Sequence, residues 1–268
     1  MTPTIAGQTI EKVSDTSDWI KMLVYGDPGA GKTTLLGSAA DVPEMCPVLI
    51  VDIEGGMKSI RNKWPQIEVI RIKDTLTESG RVKSMAWDNL FNLYEELKVG
   101  KYDYKTIIID SVSEAYNLAM LWVLKWMLES RPDRDPDLAD KREYAKARAI
   151  MLKMMRSFRD LDRHVLFTSL KSTKEDQGTG QLINYIPALP GKLAYEVPGF
   201  IDEVLYLDMV MKKDKEGGGH TAMRRLLSQP VNKYLAKDRS DNLPMTLENP
   251  TMSEIARLIL ETKVKATV

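Results

Sequence analysis

Short apolar segments alternate with helix-compatible segments along most of this chain. The apolar segments are runs of about six residues, of the kind made by strands buried on both faces of a parallel sheet. They lie at 19–25, 47–53, 105–110 and 164–170. The predicted helices between and beside them lie at 82–98, 111–127 and 144–161. Such alternation predicts an α/β fold in which a mainly parallel sheet is flanked by helices.

The last third of the chain changes character. We expect residues 171–186 to form a polar loop at the carboxyl edge of the sheet, because Lys, Ser, Thr and Gly dominate there. Two strand patterns, at 202–211 and 221–228, flank a basic, glycine-rich turn. They predict a C-terminal β-hairpin. One more strand is predicted at 234–239.

A glycine-rich stretch directly after the first predicted strand carries the strongest chemical signal. It fits the pattern G-x-x-x-x-G-K-[ST] at every fixed position. Glycines let successive backbone N–H groups point at one anion, and a lysine adds a mobile positive charge for β- and γ-phosphates. We therefore expect the stretch to bind a nucleoside triphosphate. The residues assigned to this role are Gly26, Asp27, Pro28, Gly29, Ala30, Gly31, Lys32, Thr33 and Thr34.

A second motif places an acid at the end of a buried strand. Four apolar or β-branched residues precede Asp110, and about 80 residues separate it from the glycine-rich stretch. Strand, phosphate loop and acid together predict that Asp110 and the Thr33 hydroxyl hold a Mg²⁺ ion.

Composition limits the classes of protein to which this chain can belong. Lys and Arg total 38 and Asp and Glu total 38, so a nucleic-acid surface would have to be a local patch. The single cysteine, Cys46, excludes an internal disulfide framework. No apolar run reaches about 18 residues, so we expect a soluble, intracellular protein with no membrane partner. Residues 19–268 are predicted to form one domain after a flexible arm at 1–18.

The order of the motifs resembles the RecA-type ATPase core. The match is made by the glycine-rich loop, Asp52–Gly55, Ile109–Ser111, a polar-ended strand, the late hairpin and Ala236–Arg239. It is closest to the short, phage-encoded RecA-like single-strand annealing ATPases and covers about residues 18–262. The resemblance implies ATP and Mg²⁺ as cofactors and a ring or filament of subunits. It also implies single-stranded DNA as a partner, a possible single-strand-binding protein, and action in the bacterial host cytoplasm.

The resemblance also implies roles for individual residues. Glu54 matches the catalytic glutamate that polarises the attacking water, although a helix-capping role stays open, and Glu114 is a second candidate base. Lys237 and Arg239 match a basic pair that reaches the neighbouring subunit's nucleotide; a solvated strand edge is the alternative. Ser169 stands near the strand end where the family carries a glutamine that senses the γ-phosphate, and a hydroxyl makes a shorter contact.

The DNA-binding residues that the resemblance implies form two groups. The loop at 171–186 supplies Lys171, Lys174 and Tyr185, which suit a positive groove with a stacking ring. The hairpin supplies Lys212 and Lys213, for which a charged turn is the ordinary explanation.

Two other functions share the same motifs. A small-molecule or nucleotide kinase would use Arg131 and Arg134 as a lid over the phosphates. An ATP-dependent adaptor or loader would bind the nucleotide with almost no turnover. Both stay open at the level of the sequence.

Overall fold

Strands and helices alternate through most of the chain, as the apolar pattern predicts. The computed structural model describes residues 4–10, 12, 19–76, 82–83, 85–133, 135, 138–176, 178–213 and 219–261. The strands are β1 (Thr4–Ile5), β2 (Gln8–Thr9), β3 (Lys21–Gly26), β4 (Val48–Asp52), β5 (Glu68–Arg71), β6 (Thr75–Leu76), β7 (Val82–Lys83), β8 (Thr106–Asp110), β9 (His164–Glu175), β10 (Leu182–Pro187), β11 (Glu203–Lys213), β12 (His220–Leu227), β13 (Lys237–Asp238) and β14 (Thr246–Glu248). The α-helices are α1 (Lys32–Gly37), α2 (Ala86–Lys98), α3 (Val112–Ser130), α4 (Lys141–Arg159), α5 (Leu193–Phe200) and α6 (Met252–Glu261).

A mostly parallel sheet forms the middle layer. Within the described residues it has ten strands, in the order β14-β12-β11-β3-β9-β8-β4-β5, with β10 added to β9 and β13 to β11. The pairs from β11 to β5 are parallel, whereas β12 and β14 are antiparallel additions at one edge. The predicted fold class, a P-loop core with a C-terminal hairpin, is confirmed by this order.

Two apolar cores cover the two faces of the sheet. Successive residues of β8, Ile107, Ile108 and Ile109, are fully buried and belong alternately to the two cores. One face packs against α2, α3, α4 and α5, and the other packs against α1 and α6. Burial on both faces explains why these strands read as continuous apolar runs.

The predicted loop at 171–186 is wrong in its secondary structure. Strand β9 continues past the sheet to Glu175, and β10 returns antiparallel to it, with Pro187 opposite Lys171. Polar composition at 171–176 favours a loop, but pairing with β10 satisfies the N–H and C=O groups of the polar end of β9, and Ile186 of β10 packs into the apolar core. This β9–β10 hairpin projects beyond the carboxyl edge of the sheet.

Three other predicted boundaries differ from the structure. Helix α2 begins only at Ala86, because the Asp74 carboxylate accepts hydrogen bonds from the N–H groups of Met85 and Ala86. The strand predicted at 234–239 shrinks to β13, and Tyr234 makes only isolated bridges. Tyr144 is exposed, so the buried apolar residues of α4 start at Ala147. The predicted arm at 1–18 lies mostly outside the described residues.

No helix in the described part of the chain is both long enough and apolar enough to cross a membrane.

A pair of carboxyl groups, one of them buried, lies at the amino end of β11. Glu203 is 3% exposed, and its side chain hydrogen-bonds Asp238 of β13, which is opposite it in the sheet. Burial and then Asp238 raise the pKa of Glu203 to about 9. Glu203 therefore keeps its proton at neutral pH in the folded chain.

The contribution of Glu203 to stability should fall as the pH rises from about 5 to about 9, because the unfolded chain releases the Glu203 proton near its ordinary pKa and the folded chain holds it. Each pH unit in this range costs up to about 1.4 kcal/mol of unfolding free energy. Glu203→Gln cannot ionise, so it should lose less stability than the wild type. Urea unfolding at the two ends of the range measures the difference.

The control is Glu175→Gln, which changes an exposed carboxylate at the end of β9 and should keep the wild-type pH dependence. If the wild type and Glu203→Gln lose the same free energy across the range, the Glu203 proton is not responsible.

Candidate functional site

The glycine-rich stretch forms a tight loop between β3 and α1. Gly29 and Gly31 have φ values of 80° and 97°, in the left-handed region that favours glycine. A Cβ at Gly26 would lie 2.1 Å from the Leu207 carbonyl oxygen, so the loop starts where two backbones touch. The backbone conformation at Gly29 and Gly31 and the close approach at Gly26 explain why these positions carry glycine.

Lys32 folds back over its own loop. Its Nζ donates to the carbonyl oxygens of Gly26 and Asp27, each at 3.0 Å. Burial lowers the pKa of Lys32, while Glu54, Asp110 and Asp27 act in the opposite direction. An anion in the loop would add charge that favours the ammonium form.

Asp110 is buried between two hydroxyl groups. Its Oδ2 accepts from Thr33 Oγ1 at 2.7 Å, and its Oδ1 accepts from Thr168 Oγ1 at 2.5 Å. Burial raises the pKa of Asp110, opposed by the hydrogen bonds from Thr168 and Thr33. The structure thus brings the first residues of α1 and the end of β8 into direct contact across β9.

The side chains of Thr33 and Asp110 fit a Mg²⁺ ion. Both supply the hard oxygen donors that Mg²⁺ prefers, and the ion usually keeps several waters. In the described part of the chain, no group of three or more His, Cys, Asp or Glu side chains is placed to hold a metal alone. The ion would therefore depend on phosphate oxygens and water for its remaining ligands.

Glu54 lies at the end of β4 with an exposed side chain. The Asp110 carbonyl accepts hydrogen bonds from the N–H groups of Ile53 and Glu54, at 2.8 and 3.1 Å, so β4 and β8 end together. Glu54 is the first of the charged groups that act on the pKa of Lys32. The alternative capping role is wrong, because the following 3₁₀ turn, Met57–Ser59, has Gly56 at its N-cap and no side-chain cap.

Asp52 shapes the turn that carries Glu54, a role that the sequence analysis missed. It is 1% exposed, and its Oδ1 accepts from the Gly55 N–H at 2.6 Å. Its Oδ2 has no hydrogen-bond partner among the described residues, although Arg71 Nε lies 3.7 Å away. The pattern of an acid three residues before a glycine is a local sign of such a turn.

Ser169 is buried and turned away from Asp110. Its Oγ lies 3.0 Å from Ser113 Oγ, and it donates to the Leu170 carbonyl at 2.9 Å. Its neighbour Thr168 has the hydroxyl that reaches Asp110. Because adjacent side chains of a strand point to opposite faces, only one of the two can contact Asp110.

Lys237 and Arg239 do not lie in the phosphate loop of their own chain. Lys237 Nζ donates to the Pro198 carbonyl at 2.8 Å, and Arg239 pairs with Asp202 at 2.5 Å. These partners lie near the amino end of β11, away from the loop that follows the carboxyl end of β3. Only a contact with another subunit's nucleotide would agree with the predicted role.

The predicted DNA-binding lysines have different partners and lie in different parts of the fold. Lys171 Nζ lies 2.6 Å from Asp27 Oδ2 in the phosphate loop and 5.1 Å from the centre of the Tyr185 ring. Lys174 Nζ lies 4.7 Å from the centre of the Tyr195 ring, which belongs to α5. Lys212 pairs with Glu248 at 2.7 Å.

Two predicted residues fall outside what can be described. They are the side chain of Lys213, from the predicted DNA-binding group, and Arg134, from the kinase alternative. Arg131, the other residue of the kinase alternative, is exposed after α3. Glu114, the second candidate base, lies on α3 and accepts from Asn117 Nδ2 at 3.1 Å.

The chain matches the model of a known protein family. A family model described as an AAA domain matches residues 18–240. A search of the curated proteins found no matching sequence. The matched range includes the phosphate loop, Glu54, Asp110, both hairpins and the Lys237–Arg239 segment.

Thr168→Val should destabilise the chain by about 1–2 kcal/mol, because the buried Asp110 carboxylate would lose one of its two hydroxyl donors. Thr168→Ser keeps the hydroxyl and should retain more of the stability. Urea unfolding of the two variants beside the wild type measures the effect. Equal stability of the Val and Ser variants would show that the Thr168 hydrogen bond contributes nothing.

Proposed function

The chain belongs to the AAA domain family of P-loop ATPases, and from this premise we propose that it is an oligomeric ATPase that binds single-stranded DNA and promotes annealing. The observation that carries the ATPase part of the proposal is the contact of Thr33 with Asp110, beside Lys32 and Glu54. Phosphoryl transfer needs positioned charge rather than covalent chemistry from the protein, and this cluster supplies it.

Each residue of the cluster has a separate task. The loop N–H groups and Lys32 bind the β- and γ-phosphates. When bound at Thr33 and Asp110, Mg²⁺ supplies positive charge to the same phosphates. Glu54, exposed at the end of β4, orients the attacking water and accepts its proton.

Self-association gives Lys237 and Arg239 their proposed role. Both side chains lie away from the phosphate loop of their own chain and are held by carbonyls or by Asp202. Across a subunit interface they would reach the neighbour's nucleotide and stabilise charge on the transferred phosphoryl group. Loss of their present partners is the cost of such a movement.

A groove between the β9–β10 hairpin and α5 supports binding of single-stranded DNA. It is lined by Lys174, Lys192, Ile183 and Tyr195, and Lys174 covers the Tyr195 ring. An exposed ring beside lysines offers a base a stacking surface and the backbone a positive charge. Glu175 and Asp176 also line the groove and would limit the phosphate contacts to its lysine-bearing part.

The hairpin is tied to the phosphate loop, so DNA binding has a route to the ATPase site. Lys171 at the base of the hairpin pairs with Asp27 in the loop. Beside it, Tyr185 stacks on Tyr234 with ring centres 4.6 Å apart, and Tyr234 stacks on Tyr206 at 4.2 Å. Movement of the hairpin would therefore act on Asp27 directly.

Glu54→Gln should lower ATP hydrolysis by about 100-fold or more while ATP binding remains, because the amide cannot accept the proton of the attacking water. Lys32→Ala should lose ATP binding itself. Glu114→Gln is the matched control on α3 and should keep the wild-type rate. Phosphate release and ATP binding, measured on each variant with and without single-stranded DNA, separate these outcomes.

Mixing two inactive variants tests the shared site. Lys32→Ala subunits keep Arg239, and Arg239→Ala subunits keep an intact phosphate loop, so a mixture should recover hydrolysis.

Wild-type turnover near zero would instead favour the adaptor, and phosphate transfer to a small acceptor would favour the kinase. Full activity of Arg239→Ala alone would contradict the proposed contact between subunits.

Tyr195→Ala should weaken binding of single-stranded DNA by about tenfold, because stacking of a base on an aromatic ring contributes roughly 1–3 kcal/mol. The matched control is Tyr102→Ala, since Tyr102 is also exposed beneath a lysine, Lys101, but precedes the amino end of β8. Fluorescence anisotropy of a labelled oligonucleotide measures both. An equal loss in the two variants, or no loss in either, would contradict the groove as the DNA site.

A further inference from the structure

Arg224 of β12 lies directly against the phosphate loop, although no sequence motif predicts it. A Cβ added to Gly31 would lie 2.3 Å from Arg224 Nε and 2.9 Å from its Cζ. The guanidinium group therefore occupies the space that a side chain at position 31 would need. Gly31 precedes Lys32, so this contact is made at the point where α1 begins.

The position of Arg224 is fixed by its backbone. Its N–H donates to Asn249 Oδ1 at 3.0 Å, and its carbonyl accepts from the Asn249 N–H at 2.7 Å. Asn249, in the segment that follows β14, thus binds both the backbone N–H and the backbone carbonyl of Arg224. The guanidinium group can move away from Gly31 only if the Arg224 side chain changes its rotamer or if both hydrogen bonds with Asn249 break.

One donor of Arg224 has no acceptor. Its Nε is buried and has no hydrogen-bond partner among the described residues. The adjacent Arg225 points to the other face of β12 and pairs with Asp208 at 2.6 Å. A buried, unpaired N–H beside an anion-binding loop is costly unless a ligand satisfies it.

Strand order indicates which end of a nucleotide Arg224 would meet. Asp110 and Glu54 lie on the β8 and β4 side of β3, and there the γ-phosphate reacts in the proposed function. Arg224 lies on the opposite side of β3, two strands away in β12. In the proposed function, a triphosphate with its γ end at Glu54 would have its α-phosphate and nucleoside on that side.

We propose that Arg224 binds the α-phosphate end of the nucleotide, an inference that rests on the proposed ATPase function. The Nε–H and an Nη–H of one guanidinium match two oxygens of a phosphate, a geometry that a lysine cannot reproduce. Because ATP and ADP share the α-phosphate, Arg224 contributes to binding of both. It thereby couples nucleotide binding to the β11–β12 hairpin rather than to hydrolysis.

The test compares Arg224→Ala and Arg224→Lys with the wild type in the chain of 268 residues. Dissociation constants for ATP and ADP are measured with Mg²⁺ by displacement of a fluorescent nucleotide. Arg224→Ala should weaken both by about tenfold, with the ATP to ADP ratio unchanged. Arg224→Lys should fall between, because it keeps the charge and loses the paired donors.

Arg225→Ala is the matched control from the same strand and should leave both dissociation constants unchanged. Unchanged binding in Arg224→Ala would overturn the inference, and so would a loss confined to ATP, which would place the side chain at the γ-phosphate. If Arg224→Ala does not fold, Arg224→Gln keeps most of the aliphatic part of the side chain, and its dissociation constants for ATP and ADP test the inference instead. A wild type that binds neither nucleotide would instead refute the proposed function.

Discussion

The buried contact of Asp110 with Thr33 and Thr168 is the interaction on which the site depends. A carboxylate at 2% exposure is held by two hydroxyl donors from different elements, so removal of either donor leaves a buried acceptor unsatisfied. Through it, the start of α1, the end of β8 and the middle of β9 keep a single arrangement. The backbone carbonyl of Asp110 extends the arrangement to β4 and so to Glu54.

The strand order explains why these residues can meet. Strand β9 lies between β3 and β8, and parallel strands end at one edge of the sheet, so three chain segments deliver polar groups to one place. The apolar residues that precede each end are buried on both faces. The apolar run that precedes each polar strand end therefore forms part of the core and also positions the functional group that follows it.

The additions to the parallel core surround the phosphate loop from two sides. The β9–β10 hairpin reaches it through Lys171 and Asp27, and the antiparallel β12 reaches it through Arg224 and Gly31. Neither contact belongs to the phosphate-binding motif. Together they make the loop responsive, in our proposals, to DNA on one side and to the nucleoside end of the nucleotide on the other.

The sequence by itself determined the phosphate loop, the acid at the end of β8 and the α/β fold, because each rests on residues that are adjacent along the chain or on a local period. Tertiary structure alone decided which hydroxyl meets Asp110, since Thr168 and Ser169 differ only in the face to which they point. It also decided the β9–β10 hairpin, because the polar end of β9 becomes a strand through backbone pairing with β10 and has no apolar pattern of its own. Arg224 and Gly31 lie far apart in the chain and meet only because β11 pairs with the phosphate-loop strand β3 on one side and with β12 on the other, an arrangement that no local pattern encodes.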